Sequence, residues 1–176
     1  MNGQQLPEVS CSATPQGHIV PGSLAPHAKF VFPFNTAKIP PKKTFTLRLA
    51  IRNLETGFFS NPDLSYYAAP QEIDPASGLI RGHSHLVIQR ISSMKSVEPV
   101  DPQEFVFFKG LNGKANDKGE LTVELKDGLD EGVYRLASIN SATNHQPVLV
   151  GVAQRGTVDD MVYFEVKAGV KMPNQP

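Results

Sequence analysis

The sequence predicts an all-β chain: an antiparallel β-sandwich of immunoglobulin-like type with at most one or two short helical turns. Three observations carry that expectation. Apolar residues recur at every second position rather than at helical spacing. Turn-forming residues punctuate the chain at short intervals, and a Gly-x-Tyr stands where one of the alternating runs begins.

Taken in order, Lys29 to Phe34 opens the series as a short strand. Thr44 to Arg52 is the clearest member: Phe45, Leu47, Leu49 and Ile51 fall on one side, and Thr46, Arg48 and Arg52 on the other. That alternation is what a half-buried strand requires, because successive side chains point to opposite faces. Ser84 to Ile91, Leu121 to Leu125, Val133 to Ile139, Val148 to Ala153 and Met161 to Val166 complete the set. Turns are supplied by Asn61-Pro62-Asp63, Asn112-Gly113, Asp117-Lys118-Gly119 and Asp127-Gly128. The best helical start is Asp101 to Glu104, where Asp101 caps, Pro102 fits the first position and Glu104 closes a capping box, for a turn or two. Phe105 to Phe108 is expected to pack in the core. Gly132-Val133-Tyr134, following a strand and a tight turn, matches the tyrosine corner of immunoglobulin-like sandwiches, in which the phenol bonds a backbone group across the connection. One domain is expected over 17–168, between flexible polar tails at 1–16 and 169–176.

Composition narrows the function classes. The chain has 176 residues with 17 Lys+Arg against 17 Asp+Glu, a formal charge of zero. Such a balance exerts no long-range pull on phosphate or anionic lipid, which argues against nucleic acid and membrane surfaces as partners. No apolar run reaches the roughly 20 residues that a membrane helix needs, so no membrane insertion is expected. Cys11 is the single cysteine, which excludes an internal disulfide and a Cys-rich zinc site. It leaves dimerisation through that thiol open. Trp is absent, and with it the commonest sugar-stacking residue. There is no phosphate-cradling glycine loop, no Gly-x-Ser-x-Gly elbow and no His-Glu-x-x-His helix. Catalytic residues are therefore not identified, and the sequence leans away from an enzyme.

The stretch richest in chemistry is Gly82-His83-Ser84-His85. On a strand both imidazoles point to one side, roughly 7 Å apart at their Cα atoms, while Leu86 and Ile88 take the core side. Two such rings can chelate one borderline cation, zinc or copper, and a third ligand would close the site. His145, in the loop after the Tyr134 strand, is the candidate. The competing reading is that paired histidines merely solvate a face. His18 and His27 lie in Pro/Gly-rich segments and are expected to be solvated. Asp159 and Asp160 are expected in a solvated turn, with carboxylates orienting an imidazole as the alternative. Tyr66 and Tyr67 with the His-x-His also suggest the ferric site of intradiol dioxygenases, two tyrosinates with two histidines. On a strand, however, adjacent tyrosines would face opposite ways and only one could share a metal.

The segments Lys29 to Thr36, Gly82 to Val87, Phe107 to Asn112, Gly132 to Leu136, Asn144 to Leu149 and Asp159 to Phe164 resemble, in order, a family of small secreted fungal proteins found mainly in basidiomycetes. The size and neutral composition are also similar to secreted antigens or allergens of Malassezia yeasts. What the resemblance implies is a secreted protein, here in a form without its leader, Met1 to Ser10 being polar. No settled function or catalytic residue comes with it. Some members carry a ribosomal-protein label, which the zero net charge argues against, because an rRNA binder should carry a strongly basic face. The reading that follows is a secreted, extracellular, non-catalytic binding module with a protein or glycan partner, acting as an antigen towards a host. The alternatives are a divalent-metal protein built on His83, His85 and His145, and a non-haem iron dioxygenase-like enzyme.

Overall fold

The computed structural model describes residues 3–174; the outermost positions of both expected tails, 1–2 and 175–176, lie outside the described residues. Nine strands and one 3-10 turn (Gly22–Leu24) make up the regular structure among them. The strands are β1 (His27–Phe32), β2 (Lys38–Ile39), β3 (Phe45–Arg52), β4 (Leu54–Thr56), β5 (Ile80–Ile91), β6 (Phe107–Leu111), β7 (Glu120–Leu125), β8 (Gly132–Ala142) and β9 (Met161–Val166). β1, β3 and β7 form a three-stranded sheet with β3 central, while β2-β9-β8-β5-β4 form the larger sheet, with β6 also paired to β5. Pairing is antiparallel apart from two short parallel contacts, β2 with β9 and β4 with β5. β1 and β2 are consecutive in the chain yet belong to different sheets, so the chain changes layer between them.

The two sheets share one apolar core, and the period-two pattern explains why. β3 sends Phe45, Leu47, Leu49 and Ile51 inward, and its outward Arg48 forms a two-pronged ion pair with Glu120 at 2.9 and 3.0 Å. The facing layer contributes Ile80, Leu86 and Ile88 from β5, Tyr134 and Leu136 from β8, and Val162 and Phe164 from β9. Complete burial of each such side chain contributes about 1.5–3 kcal/mol, so this interlayer surface is what holds the sandwich. The tyrosine corner is present: the buried Tyr134 hydroxyl donates to the Asp130 carbonyl at 2.8 Å.

Three local expectations are corrected. Residues 148–153 make no strand, only an isolated bridge from Val150 to Val20. Asp101 does cap, accepting the Gln103 amide at 2.8 Å. It closes a single turn, within the turn or two expected, before the chain runs on into β6. Phe105, Val106 and Phe108 are half-exposed, not core. They lie over the outer face of the large sheet, which its own alternation leaves open. Asp159 and Asp160 are neither solvated ornaments nor imidazole partners. Asp159 accepts the Asn140 amide at 2.7 Å and the Ser138 hydroxyl at 3.3 Å, and its burial raises the carboxyl pKa. Asp160 accepts the Phe30 amide at 2.7 Å and pairs with Lys29, tying the sheets together at that corner.

Candidate metal centre

β5 carries the centre, and its pleat decides which side it occupies. Ile80, Leu86 and Ile88 fill the interlayer core, so His83 and His85 emerge on the opposite, outer face of the large sheet. An outer-face histidine would ordinarily be solvated. Here His83 is fully buried, His85 half-buried and His145 buried. Cover comes from two loops pinned on either side of the rings. In one, the Phe58 amide donates to the Gly82 carbonyl at 3.2 Å and the Ser60 amide to the Thr143 carbonyl at 3.0 Å. The other is the turn after β8, where His145 adopts a left-handed backbone with φ 72°. Non-glycine residues are uncommon there and concentrate at functional sites. Gly82 is required for this arrangement, since a Cβ on it would sit 2.0 Å from the Ser141 carbonyl oxygen. That close approach lets the end of β8 deliver His145 beside β5.

The proton positions on the rings follow from their partners. His83 Nδ1 lies 3.0 Å from the Phe58 carbonyl oxygen and His145 Nε2 lies 2.8 Å from that of Ser60. A carbonyl only accepts, so both nitrogens carry hydrogen. Burial, together with the neighbouring His145, lowers the His85 pKa, which favours its neutral form. An imidazole in its neutral form keeps its other nitrogen free to accept a hydrogen bond or to ligate a cation. His83 Nε2 and His145 Nδ1 face each other at 3.2 Å. One ligand nitrogen from each of the three rings lies within 4.8 Å of the others. Two lone pairs at that distance repel unless a second proton or a cation stands between them. Burial, reinforced by the neighbouring imidazoles, lowers the His83 pKa to about 3, which disfavours a second proton on His83. Two imidazole nitrogens on one tetrahedral zinc would be about 3.4 Å apart, close to the spacing observed. The backbone carbonyls on the far side of each ring are the outer partners that usually orient metal-binding histidines.

Aromatic rings enclose the cluster. Phe59 stands edge-on to His83 and His145, with centroids at 5.2 and 5.1 Å, and Phe108 lies 5.4 Å from His85. Tyr66 sits 5.8 Å from His145 and stacks on Tyr67 at 4.3 Å. The two tyrosines do not face opposite ways as a strand would dictate. They occupy a turn in which Tyr67 has φ 54°, and both rings reach the same cavity. Sequence reasoning found the three histidines but missed Phe58, Phe59 and Ser60. A carbonyl acceptor leaves no trace in a side-chain pattern. His18 and His27 are exposed and stand outside the cluster, as expected.

Residues 28–167 match the CLU5d N-terminal domain. The chain belongs to that family. The CLU5d domain described here is also 36% identical over 166 residues to pathogenicity cluster 5 protein d of the fungus Colletotrichum graminicola. The match covers 94% of this chain and 34% of that protein, so the chain spans about a third of its curated relative. A fungal family of unsettled function is thereby confirmed, and neither match bears on an antigenic role. In fold, the CLU5d domain is loosely similar to the PmoD soluble domain from Methylocystis sp. ATCC 49242 (Rockwell), with 13% identity and a TM-score of 0.37. That likeness covers 81% of this chain and 89% of the other. No helix among the described residues is long and apolar enough to cross a membrane.

Proposed function

We propose that the CLU5d domain binds one divalent cation, zinc or copper, through His83, His85 and His145, and that this ion is its functional centre. The observation that carries the reading is the convergence of three imidazole nitrogens within 4.8 Å, two of them 3.2 Å apart on rings that a backbone carbonyl holds from the other side. Neutral imidazole nitrogens suit these borderline metals. The name of the Colletotrichum relative supports placing the function in the encounter between a fungus and its host. The resemblance to secreted fungal proteins supports an extracellular, non-catalytic binding protein whose partner is a protein or a glycan. An antigen reading describes a host's response and adds no chemistry to this one.

A tyrosinate–iron centre of dioxygenase type is the weaker reading. Tyr66 and Tyr67 both line the cavity beside His145, yet burial pushes the Tyr67 hydroxyl up to about 12, away from the tyrosinate form.

Calorimetric titration of the full chain with Zn(II) and Cu(II), checked by elemental analysis, tests the proposal. The expected result is one ion per chain, lost in His85→Ala and in His145→Ala and retained in His18→Ala. Circular dichroism confirms that each variant folds. No binding of either ion, or retention in both cluster variants, overturns it. A deep colour that develops only with Fe(III) would favour the tyrosinate reading instead.

A further inference from the structure

The cavity beside the histidines indicates what an ion held there would meet. It has a volume of about 440 Å³, within the range of small-molecule sites. His85 and His145 line it, whereas His83 is wholly enclosed behind them. Three imidazoles satisfy three of the four positions that zinc prefers. No Cys, Asp or Glu among the described residues joins the three histidines in the cluster. A fourth position on such an ion would open toward the cavity that His85 and His145 line.

The walls of that cavity are chemically one-sided. Phe59, Tyr66, Tyr67 and Phe108 supply aromatic faces, and Pro62 and Pro147 add flat apolar ones. Among the described residues, Lys, Arg, Asp and Glu are all absent from its lining. A phosphate or carboxylate ligand would find no cationic side chain, and an amine would find no counter-ion. Three neutral ligands leave a divalent ion its full charge, so the ion itself would be the one strong attractor for a lone pair. Asn112 and Ser141 can orient a ligand but cannot neutralise one.

Building on the metal reading, we infer that the CLU5d cavity binds a small, planar aromatic molecule through a single metal-seeking donor, an azole nitrogen or a phenolate oxygen. The donor completes the coordination shell, and the ring packs against Phe108 and its aromatic neighbours. Phe108 is 48% exposed and packs in no core, so it can be shortened without unfolding the protein.

The test uses the Co(II)-loaded 176-residue chain, titrated with imidazole and with 4-phenylimidazole and followed by the visible bands of cobalt. The phenyl compound should bind about tenfold more tightly, because only it reaches the aromatic walls. Phe108→Ala should reduce that advantage, read as the ratio of the two affinities within the same cobalt-loaded variant, so that any change it causes at the neighbouring His85 acts on both compounds alike. Equal affinities for the two compounds in normally loaded protein would overturn this inference alone. So would equally tight binding of the phenyl compound to metal-free protein. Absence of cobalt bands before any ligand is added would overturn the metal reading and this one with it.

Discussion

Two buried regions of this molecule lie back to back across the large sheet, and they are built on opposite principles. The interlayer core is made of Leu, Ile, Val and Phe side chains from both sheets, which satisfy one another by contact alone. The outer face of β5 gathers three imidazoles, two of them buried; His83 and His145 each meet a backbone carbonyl with one nitrogen and face each other with the other. An apolar interior needs nothing further. A buried set of converging lone pairs costs free energy until something positive fills it. The comparison teaches that equal burial can mark stability in one place and an incomplete binding site in another.

If the core alone holds the fold, shortening it should have the largest effect on stability and leave the histidines untouched. Leu49→Ala, at a fully buried position on β3, should cost about 2–5 kcal/mol. Urea denaturation measures that loss, and the folded fraction should still take up one metal ion. Loss of metal uptake by folded Leu49→Ala would show that the two regions are coupled through the sheet.

An intermediate effect should come from acid. His83 stays neutral in the fold down to about pH 3, whereas the unfolded chain takes up that proton near the ordinary value of 6.5. Between those limits the unfolded state binds more protons, so stability is complete above about 6.5 and falls with falling pH. Urea midpoints of metal-free protein measured across this window should decline, and a folded His83→Ala variant should decline less. Identical slopes would mean that the cluster contributes nothing to acid sensitivity.

The smallest change sharpens the comparison from the core side. Tyr134→Phe removes the hydrogen bond to the Asp130 carbonyl and keeps the ring in place. It should cost about 0.5–1.5 kcal/mol by thermal or urea unfolding, with metal uptake unaltered. A larger loss would show that the corner organises the β7–β8 connection rather than merely fastening it.

Much of this was legible in the sequence because a strand's pleat is local. Phe45, Leu47, Leu49 and Ile51 declare a buried face wherever β3 ends up, and the same rule puts His83 and His85 together on one side of β5. Tyr134 announces its corner from the glycine and turn that precede it. Phe105 and Phe108 misled, since aromatic character says that a residue will pack but not against what. Tyr66 and Tyr67 misled for a related reason: a left-handed residue in a turn abolishes the alternation on which a strand argument rests.

What the sequence determined by itself, then, was the sandwich, its inward face and the shared side of two histidines, all consequences of a period that any neighbouring pair of residues reveals. Only the tertiary structure decided that His145 arrives from 62 residues away, that the Phe58 and Ser60 carbonyls set the protons of the two rings, and that an aromatic cavity opens beside them. Those are meetings of segments distant in the chain. They depend on where loops cross the sheet and on which main-chain oxygen each ring finds, and main-chain oxygens are the same in every residue.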